Sequence, residues 1–157
     1  MADAIAAQVS DSIIMLELAG EGTTVADIGS GAGFPGIVWK IARPGWDVTM
    51  FERKERLASF LERTTAILSL EGVSIIAEEA GPKTGGGPFD VVTSKAAGRF
   101  GEILPVAAGM LRKGGIYVTV KGEGWEDELA GIAGFSPGRR IPLRGGRGEA
   151  ISLIFDR

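Results

Sequence analysis

Cysteine and histidine are both absent from this sequence of 157 residues. Without cysteine the chain has no disulfide, no thiolate nucleophile and no cysteine-ligated zinc site. Without histidine it has no imidazole base and no Ser-His-Asp triad. Any catalysis must therefore use carboxylates, lysines, the single tyrosine, backbone groups or a cofactor that brings its own reactivity. These absences favour cofactor chemistry, and we expect no metal ion.

Long apolar runs are missing too. No uninterrupted apolar stretch approaches the roughly 20 residues that a membrane-spanning helix needs. The first residues include Asp3 and lack the layout of a secretion signal. We therefore expect a cytoplasmic protein without membrane contact. The length predicts a single domain over residues 1–157, and nothing in the sequence sets its oligomeric state.

Positive charge is scarce in the first part of the chain. Residues 1–94 hold 7 Lys and Arg against 13 Asp and Glu, whereas residues 95–157 hold 10 against 7. Cations gathered in this way form either an anion-binding surface or ordinary solvated faces. The asymmetry alone does not decide between these two interpretations.

Apolar runs of strand length alternate with helical patterns, which is typical of βαβ units and a parallel sheet. A leading helix is predicted over residues 3–19, with Ile5, Val9, Ile13 and Leu16 on its apolar face. Further helices are predicted from Pro35 and over 53–70, 100–111 and 125–133. The predicted strands are 24–28, 47–52, 73–77, 89–94, 116–121, 139–143 and 150–156. The last two must form an antiparallel hairpin because their link is short.

The segment DIGSGAGFPG, residues 27–36, follows the first predicted strand and holds four glycines. Such a loop lets a ligand approach bare backbone. From Gly31 it reads G-x-G-x-x-G, the dinucleotide fingerprint. From Asp27 it reads D-x-G-x-G-x-G, the pattern of S-adenosylmethionine (SAM) methyltransferases. Both kinds of site need a carboxylate for ribose hydroxyls, and Glu52, which stands 21 residues after Gly31, serves either.

Three features favour SAM as the cofactor. The Asp27 carboxylate suits the cationic amino group of a methionine moiety and would repel a pyrophosphate. The closing hairpin is typical of class I SAM methyltransferases, and a hydride-transfer enzyme usually has a proton relay, for which no histidine is available. We predict an α/β, three-layer, Rossmann-like class I methyltransferase fold with a mostly parallel, seven-stranded sheet. A dinucleotide oxidoreductase and a purely structural glycine turn stay as alternatives.

Four segments follow one another in the order and spacing of one family. They are DIGSGAGFPG (27–36), IARPGWDVT (41–49), FDVVTSKA (89–96) and GGIYVTVKGEGWEDEL (114–129). They closely resemble the bacterial small-subunit ribosomal RNA guanine-N7 methyltransferases, the RsmG or GidB family. The Phe34-Pro35 pair after the loop glycines is the distinctive element. The resemblance covers residues 8–135 well and the last twenty residues poorly.

The resemblance implies methylation of a guanine N7 in ribosomal RNA, with the small ribosomal subunit as partner. Guanine N7 carries a free lone pair, so no general base is expected, and Lys95 orients substrate and cofactor. The predicted cofactor-binding residues are Asp27, Gly29, Ser30, Gly31, Gly33, Phe34, Glu52, Ala80, Gly81 and Lys95. Phosphate contacts are predicted for the cations Arg99, Lys121, Arg139, Arg140, Arg144 and Arg147. Phe34, Phe100 and Trp125 are candidate platforms for unstacked bases.

The chain departs from the family pattern around the predicted substrate site. Asp11-Ser12 matches an Asp-Ser pair, but the Arg-His expected before it is Ala7-Gln8. Lys95 replaces an arginine, and the Arg-His expected on the closing strand is Glu149-Ala150. Residues 1–20 are predicted to be the remainder of a longer N-terminal region. Two further functions therefore stay open: methylation of a small molecule or another nucleic acid, and a non-catalytic SAM- or nucleotide-binding module.

Overall fold

The computed structural model describes residues 2–81, 84, 86–95 and 98–156. Helices and strands alternate along most of this part of the chain. The helices are α1 (Ala2–Leu16), α2 (Gly36–Ala42), α3 (Glu55–Ile67), α4 (Phe100–Met110) and α5 (Trp125–Leu129). The strands are β1 (Thr24–Ile28), β2 (Asp47–Phe51), β3 (Val73–Ile76), β4 (Phe89–Ser94), β5 (Leu111–Lys121), β6 (Phe135–Pro142) and β7 (Glu149–Phe155).

The strands form one seven-stranded sheet in the order β3-β2-β1-β4-β5-β7-β6. Strands β1 to β5 pair in parallel, whereas β7 is antiparallel to both β5 and β6. This confirms the predicted parallel sheet with a closing hairpin. The strand order reverses between β1 and β4, and in open α/β sheets ligands bind at the carboxyl ends of the strands beside such a reversal.

The core consists of two apolar clusters, one on each face of the sheet. Helices α1, α2 and α3 contribute Met15, Trp39 and Leu61 to the first cluster. Helices α4 and α5 contribute Leu104 and Trp125 to the second. The fold therefore has the predicted three layers, with the sheet between two layers of helices.

The predicted apolar face of the leading helix is wrong for three of its four residues, and only Leu16 is buried. Ile5, Val9 and Ile13 are 53%, 38% and 41% exposed, while the opposite side of α1 is buried. That side includes Ser12, whose carbonyl oxygen accepts a hydrogen bond of 2.7 Å from the indole Nε1 of Trp39. Apolar spacing predicted the helix, but its buried side combines polar residues, Asp11 and Ser12, with the apolar Met15.

Several element ends also differ from the prediction. Helix α5 stops at Leu129 because the next residue leaves helical geometry and Gly131 has φ +86°. Strand β6 begins at Phe135 rather than at 139, and it contains Pro137 beside an irregular register, which an edge strand tolerates. Strand β5 begins at Leu111, directly after α4, rather than at 116, so residues 113–115 lie inside the strand. Residues 81–88, whose sequence GPKTGGGP is typical of a surface loop, fall partly outside the described residues.

Membrane-spanning helices and clustered metal ligands are both absent from the described residues. Their helices are too short or too polar to cross a bilayer. Within the same part of the chain, no group of three or more Asp or Glu side chains is arranged to hold a metal ion.

Candidate functional site

A cleft of about 610 Å³ opens at the carboxyl ends of the first strands, between α3 and α4. Four residues of the predicted cofactor site, Gly29, Gly31, Glu52 and Ala80, line it. The other lining residues are Ile28, Phe51, Arg53, Lys54, Leu57, Glu78, Glu79, Gly98, Glu102, Ile103 and Val106. The cleft lies where the strand order of the sheet predicts a ligand site.

The glycines of the 27–36 loop have two different structural roles. Gly29 and Gly31 have φ of +69° and +55°, a conformation that favours glycine. A Cβ atom on Gly29 would meet no heavy atom within 4 Å, so the backbone there faces open space. At Gly33, by contrast, a Cβ would lie 2.4 Å from Cδ1 of Ile37. The first two glycines expose backbone to the cleft, and Gly33 lets α2 pack against the loop.

Asp27 lies under this loop and is fully buried. The backbone N–H of Gly36 donates to its Oδ2 over 3.0 Å, and the Ser30 hydroxyl donates to the Asp27 carbonyl oxygen over 2.9 Å. No described residue hydrogen-bonds Oδ1. Burial raises the pKa of Asp27 to about 7. A donor or cation approaching the loop would therefore stabilise a carboxylate that is otherwise incompletely satisfied.

Glu52 joins the end of β2 to the same loop. The N–H of Gly31 donates to its Oε2 over 3.0 Å, and the N–H of Lys54 donates to its Oε1 over 2.8 Å. The side chain is buried, yet it forms part of the cleft wall. Each carboxylate oxygen keeps acceptor capacity beyond its one backbone donor, which leaves Glu52 able to bind ligand hydroxyls.

The cleft carries more negative than positive charge. Its lining includes the carboxylates of Glu52, Glu78, Glu79 and Glu102, against the two cations of Arg53 and Lys54. Such a field disfavours a pyrophosphate and favours a ligand with cationic groups. The charge of the cleft thus argues against a dinucleotide, which the glycine pattern alone leaves possible.

Three apolar residues of the cleft wall were not among the predicted site residues. Leu57 comes from α3, whereas Ile103 and Val106 come from α4. They lie far along the chain from the loop, and only the apolar spacing of the two helices hints at them. Two of the predicted cofactor-binding residues, Ala80 and Gly81, follow β3. Ala80 lines the cleft, and the N–H of Gly81 donates to the hydroxyl of Thr84 over 2.7 Å.

Lys95 and Phe34 lie together beside the glycine loop, outside the lining of the cleft. The ammonium nitrogen of Lys95 is 5.8 Å from the centre of the Phe34 ring. It donates to the carbonyl oxygen of Gln8 over 3.2 Å and also to the Gln8 side chain. Burial lowers the pKa of Lys95, against the opposing effect of Asp11, whose Oδ2 is 3.6 Å away.

The predicted phosphate-binding cations are mostly held by other groups of the protein. Lys121 pairs with Glu128 over 2.9 Å, and Arg140 pairs with Glu126 over the same distance. Arg139 donates to the Glu17 carbonyl oxygen over 3.2 Å. Arg99 is exposed at the start of α4, and Arg147 binds Asp11 beside Lys95. The structure therefore brings Lys95 and Arg147 together, whereas Arg139 and Arg140 lie on the edge strand β6.

Two of the three candidate base platforms are wrong. Phe100 and Trp125 are 0% and 7% exposed and pack edge to face with their ring centres 6.5 Å apart. They belong to the core between α4 and α5, so a base cannot stack on them. Phe34 is half-buried and keeps an accessible part.

Solved structures that resemble this fold include a methyltransferase and a cofactor-bound protein. A SAM-dependent O-methyltransferase from Thermotoga maritima superposes with a TM-score of 0.73 at 17% identity, over 94% of this chain and 65% of that one. Cofactor-bound Rv0187 from MTB also gives 0.73, at 19% identity, over 99% of this chain and 88% of that one. At such identities the likeness establishes the class I methyltransferase fold alone.

Sequence relatives are more specific. The ribosomal RNA small subunit methyltransferase G of Sorangium cellulosum is 42% identical over 128 residues, which cover 78% of this chain and 54% of that protein. The protein of the same name from Mycobacterium sp. (strain JLS) is 35% identical over 143 residues, covering 88% and 60%. The chain thus spans little more than half the length of these curated relatives. A family model described as rRNA small subunit methyltransferase G matches residues 2–133. The chain belongs to this family, GidB.

Proposed function

We propose that this protein binds SAM in the cleft and transfers its methyl group to N7 of a guanine in small-subunit ribosomal RNA. Family membership supports the reaction class. The single observation that best supports SAM as the cofactor is the open glycine backbone next to an acidic cleft wall. A ligand with a sulfonium and an ammonium group fits that field, and a pyrophosphate does not.

The residues present fit this cofactor. Gly29 and Gly31 leave room for a ligand against the backbone, and Glu52 offers carboxylate oxygens to ribose hydroxyls. Leu57, Ile103 and Val106 give the cleft apolar walls on which an adenine ring would pack. SAM, when bound, supplies an activated methyl group, so the chain's own residues need only orient and desolvate the acceptor.

A guanine N7 acceptor matches what this chain can do chemically. N7 has a free lone pair and needs no deprotonation before attack, so a site without histidine or cysteine suffices. Lys95 and the accessible edge of Phe34 lie beside the glycine loop, where they would position the base. The cytoplasmic location expected above follows from a ribosomal substrate.

Isothermal titration calorimetry with SAM, S-adenosylhomocysteine and NAD tests the cofactor. We expect both sulfur compounds to bind and NAD to bind at least tenfold more weakly. Glu52→Gln should weaken S-adenosylhomocysteine binding. The control Glu62→Gln, which changes an exposed glutamate on α3, should not. Tighter binding of NAD than of SAM would refute the proposed cofactor.

A methyl-transfer assay tests the substrate. Small ribosomal subunits that lack the modification are incubated with tritiated SAM, and N7-methylguanine is located by reductive strand cleavage. Label at one guanine supports the proposal. If S-adenosylhomocysteine binds but the RNA stays unlabelled, the ribosomal substrate is refuted, and transfer to small molecules or binding without catalysis becomes the better account.

A further inference from the structure

Asp11 on α1 connects three parts of the chain that are far apart in sequence. Its side chain is 5% exposed and accepts two hydrogen bonds from Arg147, 2.9 Å from Nη2 to Oδ1 and 3.1 Å from Nη1 to Oδ2. Lys95, directly after β4, places its Nζ 3.6 Å from the same carboxylate. One buried carboxylate therefore holds two cations in the fixed arrangement that we call the Asp11 cluster (Asp11, Lys95, Arg147).

The loop that carries Arg147 is itself fixed against the carboxyl edge of the sheet. Residue Glu149 opens β7 opposite Lys121, the last residue of β5. Gly148 lies so close to this strand end that a Cβ atom would be 2.4 Å from the Lys121 carbonyl oxygen. The Leu143 N–H closes the loop on the Gly148 carbonyl oxygen over 2.9 Å. Arg147 therefore projects from an anchored base at the same edge as Lys95.

Arg147 keeps N–H donors for a further partner, whereas the ammonium of Lys95, already hydrogen-bonded to Gln8, offers its positive charge. Of the five N–H groups of the Arg147 guanidinium, two serve Asp11 and a third serves the Arg144 carbonyl oxygen over 3.2 Å. Arg147 is 43% exposed and Lys95 is 14% exposed, so an anion can reach both from solvent. Two cations on one carboxylate leave the Asp11 cluster with a net positive charge, which an anion would balance.

We propose that Asp11 is a positioning residue that holds Lys95 and Arg147 as a pair, and that this pair binds a backbone phosphate of the RNA next to the methylated base. The inference rests on the proposed function and adds a subsite to it. Arg147 lies outside residues 2–133, the range that the family model matches, so the family match does not assign it this role.

The first test measures RNA binding by three variants. A labelled, single-stranded, guanine-containing oligoribonucleotide is titrated by fluorescence anisotropy with S-adenosylhomocysteine present, at several salt concentrations. Arg147→Met should weaken binding and make the plot of log K against log salt shallower by about 0.7, the value for one phosphate contact in a single strand. Arg63→Met, which removes an exposed arginine on α3, should change neither quantity.

Asp11→Asn distinguishes positioning from simple electrostatics by the sign of its effect. The substitution removes a negative charge, so long-range electrostatics alone predicts tighter RNA binding. Positioning predicts about tenfold weaker binding, because both cations lose their shared anchor. A raised KM for ribosomal subunits with little change in kcat should accompany this loss. Unchanged affinity for S-adenosylhomocysteine would show that the cleft is still folded.

The outcomes separate this inference from the proposed function. If the wild type methylates RNA, but Arg147→Met behaves like Arg63→Met or Asp11→Asn binds RNA more tightly, the Asp11 cluster is refuted and the function stands. If the wild type binds S-adenosylhomocysteine but neither binds nor methylates RNA, both are refuted. Should Asp11→Asn fail to fold, Arg147→Met in the exposed loop still decides the matter.

Discussion

Asp27→Asn should make the free protein more stable while weakening its cofactor binding. The Asp27 carboxylate is fully buried, and no described residue hydrogen-bonds its Oδ1. Asparagine has nearly the same shape, still accepts the N–H of Gly36 and carries no charge. The variant therefore mimics the protonated carboxyl group at every pH, and its comparison with the wild type isolates the cost of the buried charge.

The pKa gives the size and sign of that cost. Burial raises the pKa of Asp27 from 3.8 to about 7. At about 1.4 kcal/mol per pKa unit, the ionised form in the folded protein is disfavoured by about 4 kcal/mol. Because the folded pKa is the higher one, the neutral group's stabilisation is complete below pH 3.8 and is lost as the pH rises to about 7. Asp27→Asn does not titrate, so its stability advantage grows through this window.

Urea unfolding followed by tryptophan fluorescence measures the difference. Between pH 5 and pH 7 the free energy of unfolding of Asp27→Asn relative to wild type should rise by roughly 2 kcal/mol, and it should level off above about pH 8. Binding of S-adenosylhomocysteine should weaken about tenfold, because its ammonium group loses the attraction of the carboxylate beneath the glycine loop. Asp47→Asn, at an exposed position of β2, is the matched control. Parallel pH profiles for Asp27→Asn and wild type, or unchanged cofactor affinity, would refute the reasoning.

Four further predictions rest on contacts and burial in the structure. Gly33→Ala should lower the free energy of unfolding by about 2 kcal/mol or more, since its Cβ has no room and its φ is +93°. Gly29→Ala should cost only about 1 kcal/mol of backbone strain yet weaken S-adenosylhomocysteine binding in calorimetry. Lys40→Met should cost about 2 kcal/mol in urea unfolding with unchanged cofactor affinity, because the buried ammonium donates to two backbone carbonyl oxygens. Burial raises the pKa of Tyr117 to about 12, so its absorbance at 295 nm should not rise below pH 11; a native titration near pH 10 would contradict this.

The order of elements was predictable because their signals are local. Apolar runs bounded by Gly and Pro marked the strands, and β4 (Phe89–Ser94) has the predicted bounds. The ends of elements that depend on an unusual backbone conformation were not predicted. Nothing in the composition of residues 135–138, which include Pro137, indicates that they extend an edge strand.

The residues of the candidate site likewise divide into those that a local pattern predicts and those that depend on packing. Gly29, Gly31 and Glu52 belong to a local pattern, and all three line the cleft. The outward face of α1 and the burial of Phe100 depend on which groups pack against them, which a single sequence does not record. Likewise, the sequence shows that Arg147 is a cation but not that its partner is Asp11, 136 residues away.

That separation has a consequence for the order of folding. The glycine loop is tied to Glu52 only 21 residues on, so the first half of the cleft can form early, from nearby segments. The Asp11 cluster closes only when β7 has inserted between β5 and β6, which requires nearly the whole chain. A nascent or partly unfolded chain can therefore assemble the glycine loop while the edge that we propose binds RNA is still open. Native-state hydrogen exchange would then show the residue 143–148 loop opening at lower free energy than β1 and β2.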